Sequence, residues 1–407
     1  MKKILFLSFS YPYGHFGPSD NCTVRIMESL VRTGMYEVWD ISYTPSNKDS
    51  KPNYKTVEGV NLLYLPFAEK RTHHSYAIEH LLLLLKIPIY PLFSPISIWR
   101  HYKACKEILK NMQFDLVVSQ CSPQDSVIVG TMLSMGGYID KMMVLFWDNI
   151  YGRIPRKVIP KWFALYRSRK LENWIAKYAN ILVSPAPIKQ FHDKYGEVEY
   201  GIGKRVYLEH PSIMPPMKND VITVDKFVKH NKINVLYAGK VYHKEQLAYC
   251  IKLLGESSLA ERINLILLTR GLSVADLDEM KKGFKGDVVM HGWIPIEELN
   301  AIYSKVDLCI AFSGYSTAVT SKVYEYMCYG IPILHFYDED SDVTKYAISR
   351  FPFSLSLCIK NNDEKQLKSL NVFMNNCVGK KIPYEDVEKL FPDATGTAYV
   401  RVISGLV

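Results

Sequence analysis

Residues 321–334 read SKVYEYMCYGIPIL, with Lys322 and Glu325 three apart among side chains suited to burial. A helix over this stretch puts residues three and four apart on one face, so Val323, Tyr324, Met327 and Cys328 are expected on its buried side. Gly330 stops the helix, and IPILHF (331–336) begins a buried strand. Upstream, DLCIAFS (307–313) ends one strand, and Gly314, Ser316, Thr317 and Thr320 form a small hydroxyl-rich loop. Strand, loop, helix and strand in this order is the repeating unit of a parallel α/β sheet.

The rest of the chain repeats that unit. KKILFLSFS (2–10), FDLVVSQ (114–120), KMMVLFW (141–147) and NILVSPA (180–186) read as buried parallel strands. Helical stretches lie between them, such as NCTVRIMESLVRTG (21–34), with Ser19 and Asp20 as candidate N-caps and Gly34 as its stop. PSIMPPMKNDVITVDKFVKHNK (211–232) contains three prolines and reads as a linker. Strands restart at INVLYAG (233–239), INLILLT (263–269) and DVVMHG (287–292). The expected fold class is therefore α/β, two doubly wound Rossmann-like domains facing a cleft, with boundaries at 1–212 and 213–390 and a final helix in 391–407.

The composition, 48% hydrophobic and 22% charged over 407 residues, needs no disulfide support. The eight cysteines are scattered, with no CxxC and no zinc spacing, which suits a reduced, cytoplasmic protein. The opening MKKILFLSFSYPYG has too short an apolar run for a signal peptide and reads as a strand. No segment reaches the roughly 20 apolar residues of a membrane span. The nearest, HLLLLLKIPIYPLFSPISIW (80–99), is broken by Pro88, Pro91 and Pro95. With Trp99, Arg100, His101 and Lys103 behind it, the stretch 80–103 is either a surface for peripheral contact with an anionic membrane or a buried insertion. A net charge of +9 favours anionic partners, but the excess is spread and no nucleic-acid-binding motif is present.

In YAGKVYHKE (237–245) a strand ends at Gly239, and Lys240 and Lys244 follow. Two ammonium groups past a strand's carboxyl end can neutralise a diphosphate, or can be solvated surface lysines. The free N–H groups at the helix start near Thr320 offer an anion site, and Lys322 adds charge to it. Glu325, about one turn on, suits the vicinal hydroxyls of a ribose, and the plain alternative is an i, i+3 ion pair with Lys322. A nicotinamide dehydrogenase is poorly supported, since YPYGHFG rather than GxGxxG follows the first strand. DED (338–340) reads as a solvated loop, and no metal site is expected.

TSKVYEYMCYGIPIL resembles the donor-binding signature of retaining GT-B glycosyltransferases, close to glycosyltransferase family 4. Three further blocks support the resemblance in the right order: SYPYGHFGPSDNCTVRIMESL, YAGKVYHKE and HGWIPIEELNAIYSKVDLCIAFS. It implies a GT-B architecture with an acceptor-side first domain, a nucleotide-sugar-binding second domain and a C-terminal helix crossing back to the first. It implies transfer, with retention and without metal, of a sugar from a nucleotide diphosphate sugar to a saccharide or lipid-linked acceptor. Surface polysaccharide or glycolipid synthesis, on the cytoplasmic side or the inner face of a membrane, is the expected setting. By resemblance Glu325 holds the donor ribose, Lys240 and Lys244 the diphosphate, and Trp293 lies along the base. Ser316, Thr317, Ser321 and Lys322 line the donor, and Gly14 and Gly17 let the first loop approach it. Asp148 and His15 are the candidate catalytic residues. Thr317 stands where the family has a first Glu, and Trp147 where it often has His, so a noncatalytic sugar-nucleotide-binding or polysaccharide-assembly subunit stays open. So does a sugar-nucleotide epimerase.

Overall fold

A computed structural model describes the whole chain except residues 10–17, 44–56, 67–86, 88–89, 93–94, 122–123, 148–149, 151–158, 218–221, 242, 314–318, 320, 341 and 362, and the side chains of 18–21 and 321. The chain divides into two compact units, Met1–Pro211 with Asp393–Val407, and Ser212–Pro392.

In the first unit β1 (Lys2–Leu7), β2 (Tyr36–Tyr43), β3 (Val60–Leu65), β4 (Leu116–Cys121), β5 (Met142–Phe146), β6 (Ile181–Pro185) and β7 (Arg205–Leu208) form one sheet, ordered β3-β2-β1-β4-β5-β6-β7. Every neighbouring pair is parallel. Parallel strands need crossovers, and the described ones are α1 (Pro18–Arg32), α2 (Pro95–Asn111), α3 (Gln124–Met135), α4 (Lys161–Tyr178) and α5 (Ile188–Tyr195).

The second unit builds a parallel sheet from β8 (Ile233–Lys240), β9 (Ile263–Arg270), β10 (Asp287–His291), β11 (Leu308–Phe312), β12 (Ile333–Tyr337) and β13 (Ser354–Cys358). Its order is β10-β9-β8-β11-β12-β13. Its helices are α6 (Lys244–Glu256), α7 (Val274–Met280), α8 (Ile296–Lys305), α9 (Ser321–Cys328), α10 (Val343–Ser349), α11 (Asp363–Cys377) and α12 (Tyr384–Leu390). The chain returns to the first unit for α13 (Gly396–Ser404). In both sheets the order reverses between the first and fourth strands of the unit, leaving a crevice at their carboxyl ends.

Burial explains the continuous apolar runs. β4 and β5 are buried at every residue because helices cover both faces of the sheet. One face takes Ile98 and Cys105 of α2, Val127 and Leu133 of α3, and Ile175 of α4. The other takes Ile26, Met27 and Leu30 of α1 with Tyr399, Val400 and Ile403 of α13. At that contact a Cβ on Gly396 would lie 2.0 Å from Ser29 Oγ, so only glycine lets α13 approach α1 this closely. Ser19 and Asp20, expected before α1, fall within its first turn.

Two readings of the sequence are corrected here. Part of 211–232 is not a free linker: Val224 and Phe227 are buried, and Asn264 Nδ2 donates to the Phe227 carbonyl at 2.7 Å. His101, grouped with the membrane-facing stretch, points inward. Its Nε2 meets Tyr43 Oη at 2.8 Å, its ring stacks on Phe9, and burial pulls its pKa down. Among the described residues no helix is long and apolar enough to cross a membrane.

Candidate functional site

The candidate site gathers at the carboxyl ends of β8 and β11, the strands flanking the crevice of the second unit. β8 ends at Gly239 and Lys240, and Lys240 is exposed while its carbonyl accepts from Tyr237 Oη at 2.9 Å. α6 begins at Lys244, whose Nζ lies 2.8 Å from an Asp276 carboxylate oxygen. That ammonium, followed by hydrogen bonds from Ser273, holds the Asp276 carboxyl down at about 2. Lys244 is therefore already paired within the protein.

Gln246, in the first turn of α6, ties the two strand ends together. Its Oε1 accepts from the Ser313 N–H, just past β11, at 3.1 Å. Nε2 of the same amide is buried and, among the described residues, has no hydrogen-bond partner.

α9 stands over this end of the sheet. Val323, Tyr324, Met327 and Cys328 are buried, and Tyr326 Oη accepts from the Ala238 N–H of β8 at 3.3 Å. The helix ends in a hydrogen-bonded reversal, with Gly330 N–H to Met327 O at 2.8 Å and Ile331 N–H to Tyr326 O at 3.2 Å. Gly330 has φ +65°, and a Cβ there would lie 2.0 Å from the Ile382 carbonyl.

Lys322 Nζ and Glu325 Oε2 meet at 2.7 Å, so the i, i+3 ion pair exists. The pair is not isolated: Tyr303 Oη, buried under α9, donates to the same Oε2 at 3.2 Å. Burial, and after it the carboxylate, raises the Tyr303 phenol far above its ordinary pKa, which keeps it a donor. Among the described residues Glu325 Oε1 has no hydrogen-bond partner. Among the described residues, then, one oxygen is fixed and the other is not engaged.

Trp293, past the carboxyl end of β10, is 71% exposed. Gly14, His15, Gly17, Asp148, Ser316 and Thr317 lie outside the described residues, as does the side chain of Ser321. Trp147, beside Asp148, is locked in place: its Nε1 donates to Thr23 Oγ1 at 3.2 Å and Gln120 Oε1 at 3.3 Å. Three residues escaped the sequence reading. Tyr303 and Gln246 carry no local signal. Arg270 does: it ends INLILLTR as Lys240 ends INVLYAGK, one cation closing each apolar run.

Among the described residues one group has metal-ligand spacing, Glu172, His192 and Glu197 of the first unit. Arg205 fills it, with Nη2 2.6 Å from Glu172 and 3.0 Å from Glu197, so the carboxylates are already neutralised. A cavity of about 590 Å³ near Met217, Tyr329 and Lys381 of the second unit lies beyond the carboxyl-terminal end of α9, away from the strand mouths.

No protein-family model matches the sequence, and no curated protein matches it. Solved structures do. A glycosyltransferase from Rickettsia africae ESF-5 is 12% identical, with 100% of this chain and 98% of that one covered and a TM-score of 0.60. Anabaena Alr3699/HepE, solved with UDP and glucose, is 11% identical, with 100% and 99% covered and a TM-score of 0.55. The UDP-GlcNAc 2-epimerase from Methanocaldococcus jannaschii is 11% identical, with 99% of each chain covered and a TM-score of 0.56. Identity this low speaks to architecture and leaves the reaction open. Two parallel-sheet units in one chain, matched along its whole length, are the GT-B fold.

Proposed function

We propose that the protein is a glycosyltransferase that moves a sugar from a nucleoside diphosphate sugar to an acceptor hydroxyl, with retention and without a metal ion. The observation that carries the reading is Glu325: a carboxylate on the helix after β11 with one oxygen held by Lys322 and Tyr303 and the other not engaged among the described residues. Such an oxygen suits a ribose hydroxyl, and the cations nearby suit a diphosphate. In the reaction the bond from the anomeric carbon to the diphosphate oxygen breaks, and the acceptor oxygen bonds to that carbon and loses its proton. Negative charge develops on the leaving diphosphate, so Lys240, Lys244, Lys322 and the α9 N-terminus, with Ser316, Thr317 and Ser321, serve catalysis by stabilising it. Trp293 lies along the base, Gly14 and Gly17 face the donor, and Asp148 and His15 are the candidates to receive the proton.

A thermal-shift screen against UDP, GDP, CDP, TDP and ADP, with Glu325→Ala beside the parent, tests the donor site. One diphosphate should stabilise the parent and lose its effect in the variant. No shift with any of them removes the donor reading. The likeness to an epimerase gives a second reading, an epimerase acting on a sugar nucleotide. Release of nucleoside diphosphate only when acceptor is present separates transfer from epimerisation.

We place the acceptor at a membrane, in surface polysaccharide or glycolipid synthesis. Ile96, Trp99, Trp162 and Tyr166 of the first unit are 80%, 50%, 72% and 53% exposed. Lys103 lies over the Trp99 ring at 5.2 Å and Lys170 over Tyr166 at 4.7 Å, the pairing of interfacial aromatics with cations that anionic lipid attracts. Sedimentation with phosphatidylglycerol vesicles should be salt-sensitive and lost in Trp99→Glu with Trp162→Glu. Unchanged sedimentation removes this placement.

A further inference from the structure

Lys240 and Arg270 end adjacent parallel strands in register with each other. In-register residues of a parallel pair project to the same side of the sheet, about 4.8 Å apart. Val235, Tyr237, Leu265 and Leu267 face the core shared with α6, so Lys240 and Arg270 continue the alternate set on the opposite face. Two like charges side by side are unfavourable by themselves. Lys244 next to them is engaged by Asp276, whereas Arg270 forms no ion pair or side-chain hydrogen bond among the described residues.

We propose that Lys240 and Arg270 form a two-cation clamp for the diphosphate of the donor, with Arg270 as its bidentate half. The assignment rests on the donor reading above and adds a residue to it. A diphosphate between the two strand ends meets both cations with charge-assisted contacts. The planar guanidinium offers paired N–H groups that match two phosphate oxygens, while Lys240 acts as a point charge. Lys244, held by Asp276, is left the smaller part.

The test is calorimetric titration of the full chain with UDP, uridine and inorganic pyrophosphate, comparing the parent, Arg270→Gln, Lys240→Gln, the double variant and Glu325→Ala. Arg262→Gln, at the amino end of β9, controls for net charge. Arg270→Gln should weaken UDP about tenfold or more and leave uridine unchanged, as loss of a charged hydrogen-bond donor to phosphate does. The double variant should lose less than the product of the single losses, because both cations share one anion. The ligand-free melting temperature of Arg270→Gln should stay level or rise as repulsion is relieved. A lowered melting temperature with unchanged UDP affinity overturns the clamp. UDP affinity within about twofold of the Arg262→Gln control, while Glu325→Ala loses binding, overturns the clamp and leaves the donor reading standing. If the parent binds neither UDP nor any other nucleoside diphosphate, the donor reading fails. Pyrophosphate then decides: binding lost in Arg270→Gln supports an anion clamp, and absent or unchanged binding overturns it.

Discussion

Glu325→Ala should destabilise the ligand-free protein more than an i, i+3 ion pair can explain. The Lys322 pair lies on a half-exposed helix face and contributes about 0.2–0.5 kcal/mol. Tyr303 is different: its ring is fully buried and its hydroxyl has Glu325 Oε2 as acceptor at 3.2 Å. Removing the carboxylate strands that hydroxyl, at a cost of about 1–3 kcal/mol. The expected loss for Glu325→Ala is therefore about 1.2–3.5 kcal/mol. In a Tyr303→Phe background no hydroxyl is stranded, and the same substitution should cost about 0.5 kcal/mol or less. Glu325→Gln keeps an acceptor for Tyr303 and should cost about as little. Pulse proteolysis across a urea series measures all five proteins, the parent included, without requiring the two units to unfold together. Equal costs of Glu325→Ala in the two backgrounds would show that the Tyr303 bond contributes nothing, and the account of how Glu325 is held would fall.

Gly330→Ala should lose about 2 kcal/mol or more, since φ is +65° and the new Cβ would meet the Ile382 carbonyl, whereas Gly292→Ala enters open space and should stay within about 0.5 kcal/mol. Urea denaturation of both distinguishes a backbone requirement from general intolerance of the fold. Burial, then the Arg205 charge, depresses His192 to about 4. The unfolded chain, with an ordinary imidazole near 6.5, therefore binds a proton first as pH falls. Stability is complete above that value and declines toward pH 4 by up to about 1.4 kcal/mol per unit. His192→Gln should flatten that limb in a urea-denaturation series run against pH. Asp276 has the carboxylate sign: its pKa is depressed to about 2, so its contribution holds above the ordinary 3.8 and is lost as pH falls from there toward 2. Lys244→Gln should shift the Asp276 carboxyl titration upward, which carbon-detected NMR reads directly.

Most of the strands that could be read from sequence lie inside their sheets, and one edge strand, β10, was read as well from DVVMHG. β1, β4, β5, β6, β8, β9, β11 and β12 sit inside their sheets, so burial on both faces makes each of them mostly apolar. Those missed, β2, β3, β7 and β13, break that rule for physical reasons. β3, β7 and β13 are edge strands and only partly buried. β2 carries Asp40 and Ser42 at fully buried positions, where Ser8 and Ser42 hydroxyls donate to the carboxylate at 3.0 and 2.6 Å. A buried carboxylate is legible only once its donors are known, and Ser8 lies 32 residues away.

The site divides in the same way. Lys240, Lys322 and Glu325 were visible because charge in an apolar run is conspicuous, and Arg270 was equally visible once the ends of β8 and β9 are compared. What the local sequence could not supply is the state of each charge. Lys244 and Lys240 look alike in YAGKVYHKE, yet one is held by a carboxylate from α7, 32 residues on, and the other sits in register with a second cation. Glu325 and Lys322 look like a surface pair, and Tyr303, 22 residues back on α8, adds a buried donor to the carboxylate oxygen that Lys322 takes. Three contacts of long sequence separation thus sort four similar charges into different roles. An amino-acid exchange that keeps the charges but removes Tyr303, Asp276 or the β8–β9 register should change donor binding as surely as removing the charges themselves.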